Sequence, residues 1–213
     1  VFSALEKFSN GSWEESASNL FDDVWKGYPV IIFSASIKPD MNLFDEFNPV
    51  NLDNIIHDDM LNIYKEYYRK TIKDGTWVLG DKQSNRFKAH NEPLSRFLHY
   101  EILPLIERIT NKKLRPTYTY LSSYIKDCDL PAHTDRADCE FTVSFLINKD
   151  VDWPIYLHKT KQATKFKGRS DENPPLEECI KLDGNIGGFI IFCGTDHLHF
   201  REKYDGEFYD IVL

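Results

Sequence analysis

His133 and Asp135 stand two residues apart in Pro131-Ala-His-Thr-Asp-Arg136, at the head of a β-rich run continuing through Phe141-Thr-Val-Ser-Phe145. Two more histidines follow far downstream, at His197 and His199. On an extended segment alternate side chains project to one face, so an imidazole and a carboxylate at i and i+2 can grip one metal ion. A carboxylate and two neutral imidazoles, one of them from a distant strand, form a set that suits Fe(II). Such a set leaves positions open for a co-substrate and dioxygen.

The pair alone is weak, because it recurs at His57 and Asp59. There Leu52, Ile55, Ile56, Met60, Ile63 and Tyr64 repeat at helical spacing. On a helix, residues two apart point to nearly opposite sides, so the second pair is set aside.

Positioning these residues requires a core. A chain of 213 residues with 41% hydrophobic and 14% aromatic content can bury one, and we expect a single domain over residues 1–213. A net charge of −8 argues against nucleic acid, whose binding needs a basic surface. No apolar run reaches the roughly 18 residues of a membrane span, and the first residues lack the pattern of a signal peptide. The expectation is a soluble, cytoplasmic protein with no membrane partner. Cys128, Cys139, Cys179 and Cys193 show no C-x-x-C spacing, so reduced thiols are expected. The opening at Val1 and the close at Leu213 inside an apolar run lead to the expectation of a trimmed chain.

Residues 1–112 read as mainly helical support. Trp13–Lys26 is amphipathic, Tyr28–Phe33 is a short apolar strand, and residues 51–71 form a long patterned helix. A further helix is expected over Pro93–Ile109, capped by Asn91, ended by Asn111 and bent at Pro104. From Arg115 the character is β: residues 117–121, Phe141–Ile147, Trp153–Leu157, Gly188–Phe192 and Phe208–Leu213. Helices followed by strands imply an α+β fold in which a sheet over residues 113–213 is backed by helices. Residues 159–178 are polar and rich in lysine, and read as a loop or lid.

Several segments together resemble the Fe(II)/2-oxoglutarate-dependent oxygenases, in particular the prolyl-4-hydroxylase-like members. They are Tyr120-Leu-Ser-Ser-Tyr124, Leu130-Pro-Ala-His-Thr-Asp-Arg136, Cys139-Glu140, Trp153-Pro154 and Gly194-Thr-Asp-His-Leu-His-Phe-Arg-Glu202. The resemblance covers roughly residues 77–213, with 66 residues between His133 and His199. It implies a double-stranded β-helix (jelly-roll) barrel and a metal site of His133, Asp135 and His199, since the late histidine is followed two residues on by Arg201. His197 is the fallback ligand, because strand parity does not separate the two histidines.

The resemblance further implies Fe(II), 2-oxoglutarate and O2 as cofactor and co-substrates, with release of succinate and CO2. Many members carry a basic residue about ten positions after the last histidine, where this chain has Glu207-Phe-Tyr-Asp210. Arg201 is the candidate replacement, one strand repeat or about 7 Å from His199, with a fork that suits a carboxylate. A strand-end ion pair with Glu202 or Asp210 is the alternative for Arg201. Tyr120 and Tyr124 are candidate co-substrate contacts, or core aromatics. Glu140 and Arg86 are candidates to face the substrate, and Arg136 is expected to fix a neighbouring loop through an ion pair. His90, His99 and His158 are assigned no role. The retained Asp135 favours hydroxylation, desaturation or cyclisation over halogenation. The substrate is expected to be a small molecule such as an amino acid rather than a protein. Other readings are a peptidyl hydroxylase, a cupin-like metalloenzyme without 2-oxoglutarate, and a ligand-binding barrel.

Overall fold

Among the described residues, side chains alternate along eleven short strands, and in the central strands that alternation divides a helix-facing core from an enclosed interior. In the computed structural model, residues 47–81, 83–162, 170 and 172–213 are described. The expected elements at Trp13–Lys26 and Tyr28–Phe33 lie outside the described residues. In chain order the elements are β1 (Val50–Leu52), α1 (Asp58–Lys73), β2 (Val78–Leu79), β3 (Arg86–His90), α2 (Pro93–Thr110), β4 (Tyr120–Ile125) and β5 (Leu130–His133). Then follow β6 (Thr142–Lys149), β7 (Ile155–His158), a 3-10 turn (Leu176–Glu178), β8 (Cys179–Leu182), β9 (Phe189–Phe192), β10 (His199–Arg201) and β11 (Phe208–Val212).

Two antiparallel sheets result, a seven-stranded one in the order β1-β9-β6-β11-β4-β3-β2 and a four-stranded one in the order β5-β10-β7-β8. From β4 to β11 the chain shuttles between them, which is the winding of a double-stranded β-helix. On the outer face of the large sheet, Leu121, Phe145, Ile147, Phe189, Ile191 and Val212 pack against α1 and α2 through Tyr64, Tyr68, Leu98 and Ile102. The opposite residues of the same strands, among them Leu146, Ile190, Phe192 and Ile211, face inward with Ile155 and Leu157 of the small sheet. Arg69 of α1 bonds both oxygens of the buried Asp210 on β11 and the Ser123 hydroxyl on β4, fixing the helix across the sheet.

Helix α1 starts at Asp58, not at residue 51. Residues Val50–Leu52 instead extend the sheet by pairing with β9, and Leu52, Ile55 and Ile56 are buried in the same core without being helical. His57 is the N-cap, and its ring nitrogen accepts from the Asp59 amide at 3.3 Å, which gives the second H-x-D pair a local structural role. Helix α2 runs Pro93–Thr110 and is capped by Glu92, which accepts from the amides of Leu94 and Ser95. Asn91, the expected cap, is left-handed at φ 49° and its side chain accepts from Thr119 N. Asn111 ends the helix in the left-handed conformation. Among the described residues, the first half therefore adds three strands to the large sheet as well as two helices, because strands of two to five residues at or near a sheet edge are too short to show a pattern.

Phe145 is 1% exposed and meets Tyr64 and Phe189 edge to face, joining α1 to the centre of the large sheet. Phe145→Ala should lower stability by about 3–5 kcal/mol, read as a reduced urea midpoint at unchanged slope.

Candidate metal centre

Three ligand atoms converge from β5, the loop behind it and β10. One ligand atom each of His133, Asp135 and His199 lies within 4.8 Å of the others. Asp135 Oδ1 is 3.8 Å from His133 Nε2 and 3.5 Å from His199 Nε2. The imidazoles meet because β5 and β10 pair antiparallel with His199 opposite His133, which brings the ring centroids to 4.3 Å.

Asp135 is not on the strand: β5 ends at His133, and the aspartate sits two residues into the following loop. Its position comes from a backbone bond, Asp135 N to Gly194 O at 2.8 Å, rather than from strand alternation. A Cβ at Gly194 would overlap Asp135 Oδ2, so only glycine permits this approach. Thr142 on β6 donates its hydroxyl to the same oxygen. Neither Gly194 nor Thr142 was singled out from the sequence, since both residue types are common, although Gly194 opens a segment already quoted there.

Both histidines are oriented by carbonyls. His133 Nδ1 lies 2.8 Å from Pro131 O and His199 Nδ1 lies 3.0 Å from His197 O. A carbonyl can only accept, so each Nδ1 carries a proton, and each Nε2 is the ring nitrogen left facing the position shared with Asp135. Burial, reinforced by the nearby His199, pushes His133 down to about 4. For Asp135, burial raises the carboxyl, but the two imidazoles and the Thr142 hydroxyl outweigh it and hold it at about 2. At neutral pH this gives a carboxylate beside a neutral His133, the protonation states a divalent cation requires. His197 is directed elsewhere, with its Nδ1 3.0 Å from His158 O.

The three ligands line a cavity of about 910 Å3, together with Arg86, Lys88, Tyr118, Tyr120, Arg136 and Arg201. Arg201 is 1% exposed; its Nη1 donates to Trp153 O and, at 3.4 Å, to the Tyr209 hydroxyl, and its guanidinium lies over both rings. Its Nε is buried without a hydrogen-bond partner among the described residues. Neither expected ion pair forms among the described residues, since Asp210 is bound by Arg69 and Arg201 makes none with Glu202. Tyr120 donates to Asp81 at 2.5 Å and lines the cavity. Tyr124, wholly buried, accepts from Arg86 and is not among the lining residues. Glu140 pairs with Lys112 at 2.5 Å, outside the cavity. Arg136 is exposed and lies over Tyr118 instead of forming the expected ion pair.

The polar 159–178 segment is anchored at the ends described here. Ser170 N donates to Ala132 O at 2.8 Å and Asn173 accepts from Ala132 N at 3.0 Å, which covers the free edge of β5 beside His133.

No protein-family model matches the chain, and no curated protein matches it in sequence. Solved structures do match. The non-heme alpha ketoglutarate dependent carbocyclase SnoK from nogalamycin biosynthesis superposes with a TM-score of 0.64 at 10% identity, over 87% of this chain and 85% of that one. A Pseudomonas putida prolyl-4-hydroxylase gives 0.57 at 11% identity, over 78% and 90%. EctD from S. alaskensis with bound Fe gives 0.57 at 12%, over 87% and 80%. The chain thus has the double-stranded β-helix fold of the Fe(II)/2-oxoglutarate oxygenases, as the sequence resemblance implied. Among the described residues, no helix is long and apolar enough to cross a membrane.

His199→Ala should abolish stoichiometric Fe(II) binding measured anaerobically by calorimetry, whereas His197→Ala should keep it within a few-fold. Thr142→Val should weaken Fe(II) by roughly 10- to 100-fold, the usual cost of disturbing groups that orient a ligand, with little change in the unfolding midpoint, and Gly194→Ala, whose Cβ overlaps Asp135, should weaken it at least as much.

Proposed function

We propose that this chain is a single-domain Fe(II)- and 2-oxoglutarate-dependent dioxygenase that oxidises an unactivated C–H bond of a small molecule. The observation that carries the reading is Arg201: a fully buried guanidinium in the cavity of the His133–Asp135–His199 cluster, with an orphaned Nε and no carboxylate partner among the described residues. Burying an unpaired cation costs several kcal/mol, and an anionic ligand removes that cost.

His133 and His199 offer Nε2 and Asp135 one oxygen, so the protein occupies one face of the ion and leaves the other to ligands. The Arg201 fork receives the distal carboxylate of 2-oxoglutarate. Leu130, Ile155 and Phe192 supply apolar lining that excludes water around the keto acid. When bound, the iron, 2-oxoglutarate and O2 supply the oxidising chemistry, giving succinate, CO2 and, in the hydroxylation case, an alcohol on the substrate. The retained Asp135 keeps the position that chloride would need, which favours hydroxylation, desaturation or cyclisation. An Arg201 with no carboxylate partner among the described residues also disfavours a cupin-like enzyme that uses no oxoacid.

Succinate release tests this reading. Arg201→Gln should raise the 2-oxoglutarate requirement by roughly 10- to 100-fold, the value of a charge-assisted hydrogen bond, at unchanged Fe(II) affinity. Arg201→Lys, which keeps the charge without the fork, should fall between the two. An unchanged requirement in both variants would contradict the assignment.

A further inference from the structure

The cavity is cationic in a protein of net charge −8. Its described lining includes Arg86, Lys88, Arg136 and Arg201 against only two carboxylates, Asp81 and Asp135. Both carboxylates are committed. Asp81 accepts from Arg86 Nε at 3.0 Å and from the Tyr120 hydroxyl, and Asp135 belongs to the metal cluster. Arg201 is taken by the co-substrate in the reading above. Lys88 and Arg136 are left, and neither has an ion-pair partner among the described residues.

Strand β3 explains how the charges come to the cavity. Phe87 and Ala89 pack on the helix-facing core, so Arg86, Lys88 and His90 project to the other side, and all three line the cavity. Beside them stands an aromatic wall. His90 lies 5.6 Å from Tyr118 and 4.5 Å from Tyr120, ring centroid to ring centroid. Arg136 sits 5.7 Å over Tyr118 and Arg86 4.7 Å over Tyr120, so cations and rings alternate along one side of the cavity. Beyond burial, the fields of Arg136, Lys88 and Arg86 push His90 below its usual range, consistent with their charges converging there. Tyr118 and Tyr120 line the same cavity as His133, Asp135 and His199.

We infer that the substrate is a small organic anion, whose carboxylate or phosphate group is held by Lys88 and Arg136 while its carbon skeleton lies against His90, Tyr118 and Tyr120. This rests on the oxygenase reading for its chemistry but not for its geometry. Lys88 and Arg136 are substrate-binding residues here, and His90, given no role on sequence grounds, forms part of the wall.

The test uses wild-type protein loaded with Zn(II) and 2-oxoglutarate, so that Arg201 is occupied and the metal is diamagnetic. Benzoate, phenyl phosphate and neutral benzamide are titrated at constant ionic strength, following the His90 imidazole resonance. Saturable shifts with an anion and not with benzamide are expected, and the tighter anion distinguishes carboxylate from phosphate. Lys88→Gln and Arg136→Gln should each weaken that anion about tenfold or more, while Lys203→Gln, at an exposed lysine paired with Asp127, should leave it unchanged. Equal binding of benzamide, or undiminished anion binding in both variants, overturns the inference. Failure of 2-oxoglutarate to bind the Zn(II)-loaded wild type counts against the oxygenase reading instead, and the anion titration still decides the present one.

Discussion

Two imidazoles 66 residues apart in sequence stand with centroids 4.3 Å apart, because β5 and β10 are antiparallel neighbours whose register sets His199 opposite His133. Cross-strand neighbours are held at a distance the backbone dictates, so the ligand spacing is a property of sheet pairing rather than of side-chain adjustment. A slip of one residue would turn His199 to the other face. The strands that pin this register are the remainder of the barrel: β7 binds the far side of β10, and Ser170 and Asn173 cover the free edge of β5. The helices contribute at one remove, by packing the large sheet from outside and leaving its inner face to the cavity.

Around that pair the interior is organised by charge. Asp135 is drawn in by the Gly194 carbonyl and held by Thr142, while Pro131 and His197 carbonyls set the two tautomers. Buried polar groups are ordinarily matched to partners, and Arg86 follows the rule with Asp81, Gln83 and Tyr124. Arg201 departs from it at Nε. The Tyr64, Thr119 and Ser122 hydroxyls share that condition, but Arg201 alone among them carries a charge, and it lines the cavity of the metal cluster.

Much of the architecture was legible in sequence where strands are long or apolar: β6, β7, β9 and β11 fall where alternation and β-branched residues place them, within a few residues. Around His133 and His199 the extended character was read from the ligand spacing and the resemblance, whereas β8, with no apolar run to mark it, was not seen and is defined by its pairing with β7. The start of α1 was misplaced because Leu52, Ile55 and Ile56 have helical spacing, yet Leu52 ends the strand paired with β9 and Ile55 and Ile56 are buried in non-helical chain after it. Glu92 displaced Asn91 as the α2 cap, since a longer carboxylate reaches the same amides while Asn91 takes the left-handed turn. At the centre, His133, Asp135 and His199 were readable from residue type and order. Gly194 and Thr142 were not, because what matters about them is closeness to Asp135, which no spacing records.

The account rests on iron and 2-oxoglutarate sharing one site. The most direct measurement is the visible absorption spectrum of the wild-type protein under anaerobic conditions as Fe(II) and 2-oxoglutarate are added separately and together. A charge-transfer band that needs both additions, saturates at one iron per chain and is lost in His133→Ala is the predicted result. A folded protein that binds Fe(II) yet develops no such band with 2-oxoglutarate would contradict it.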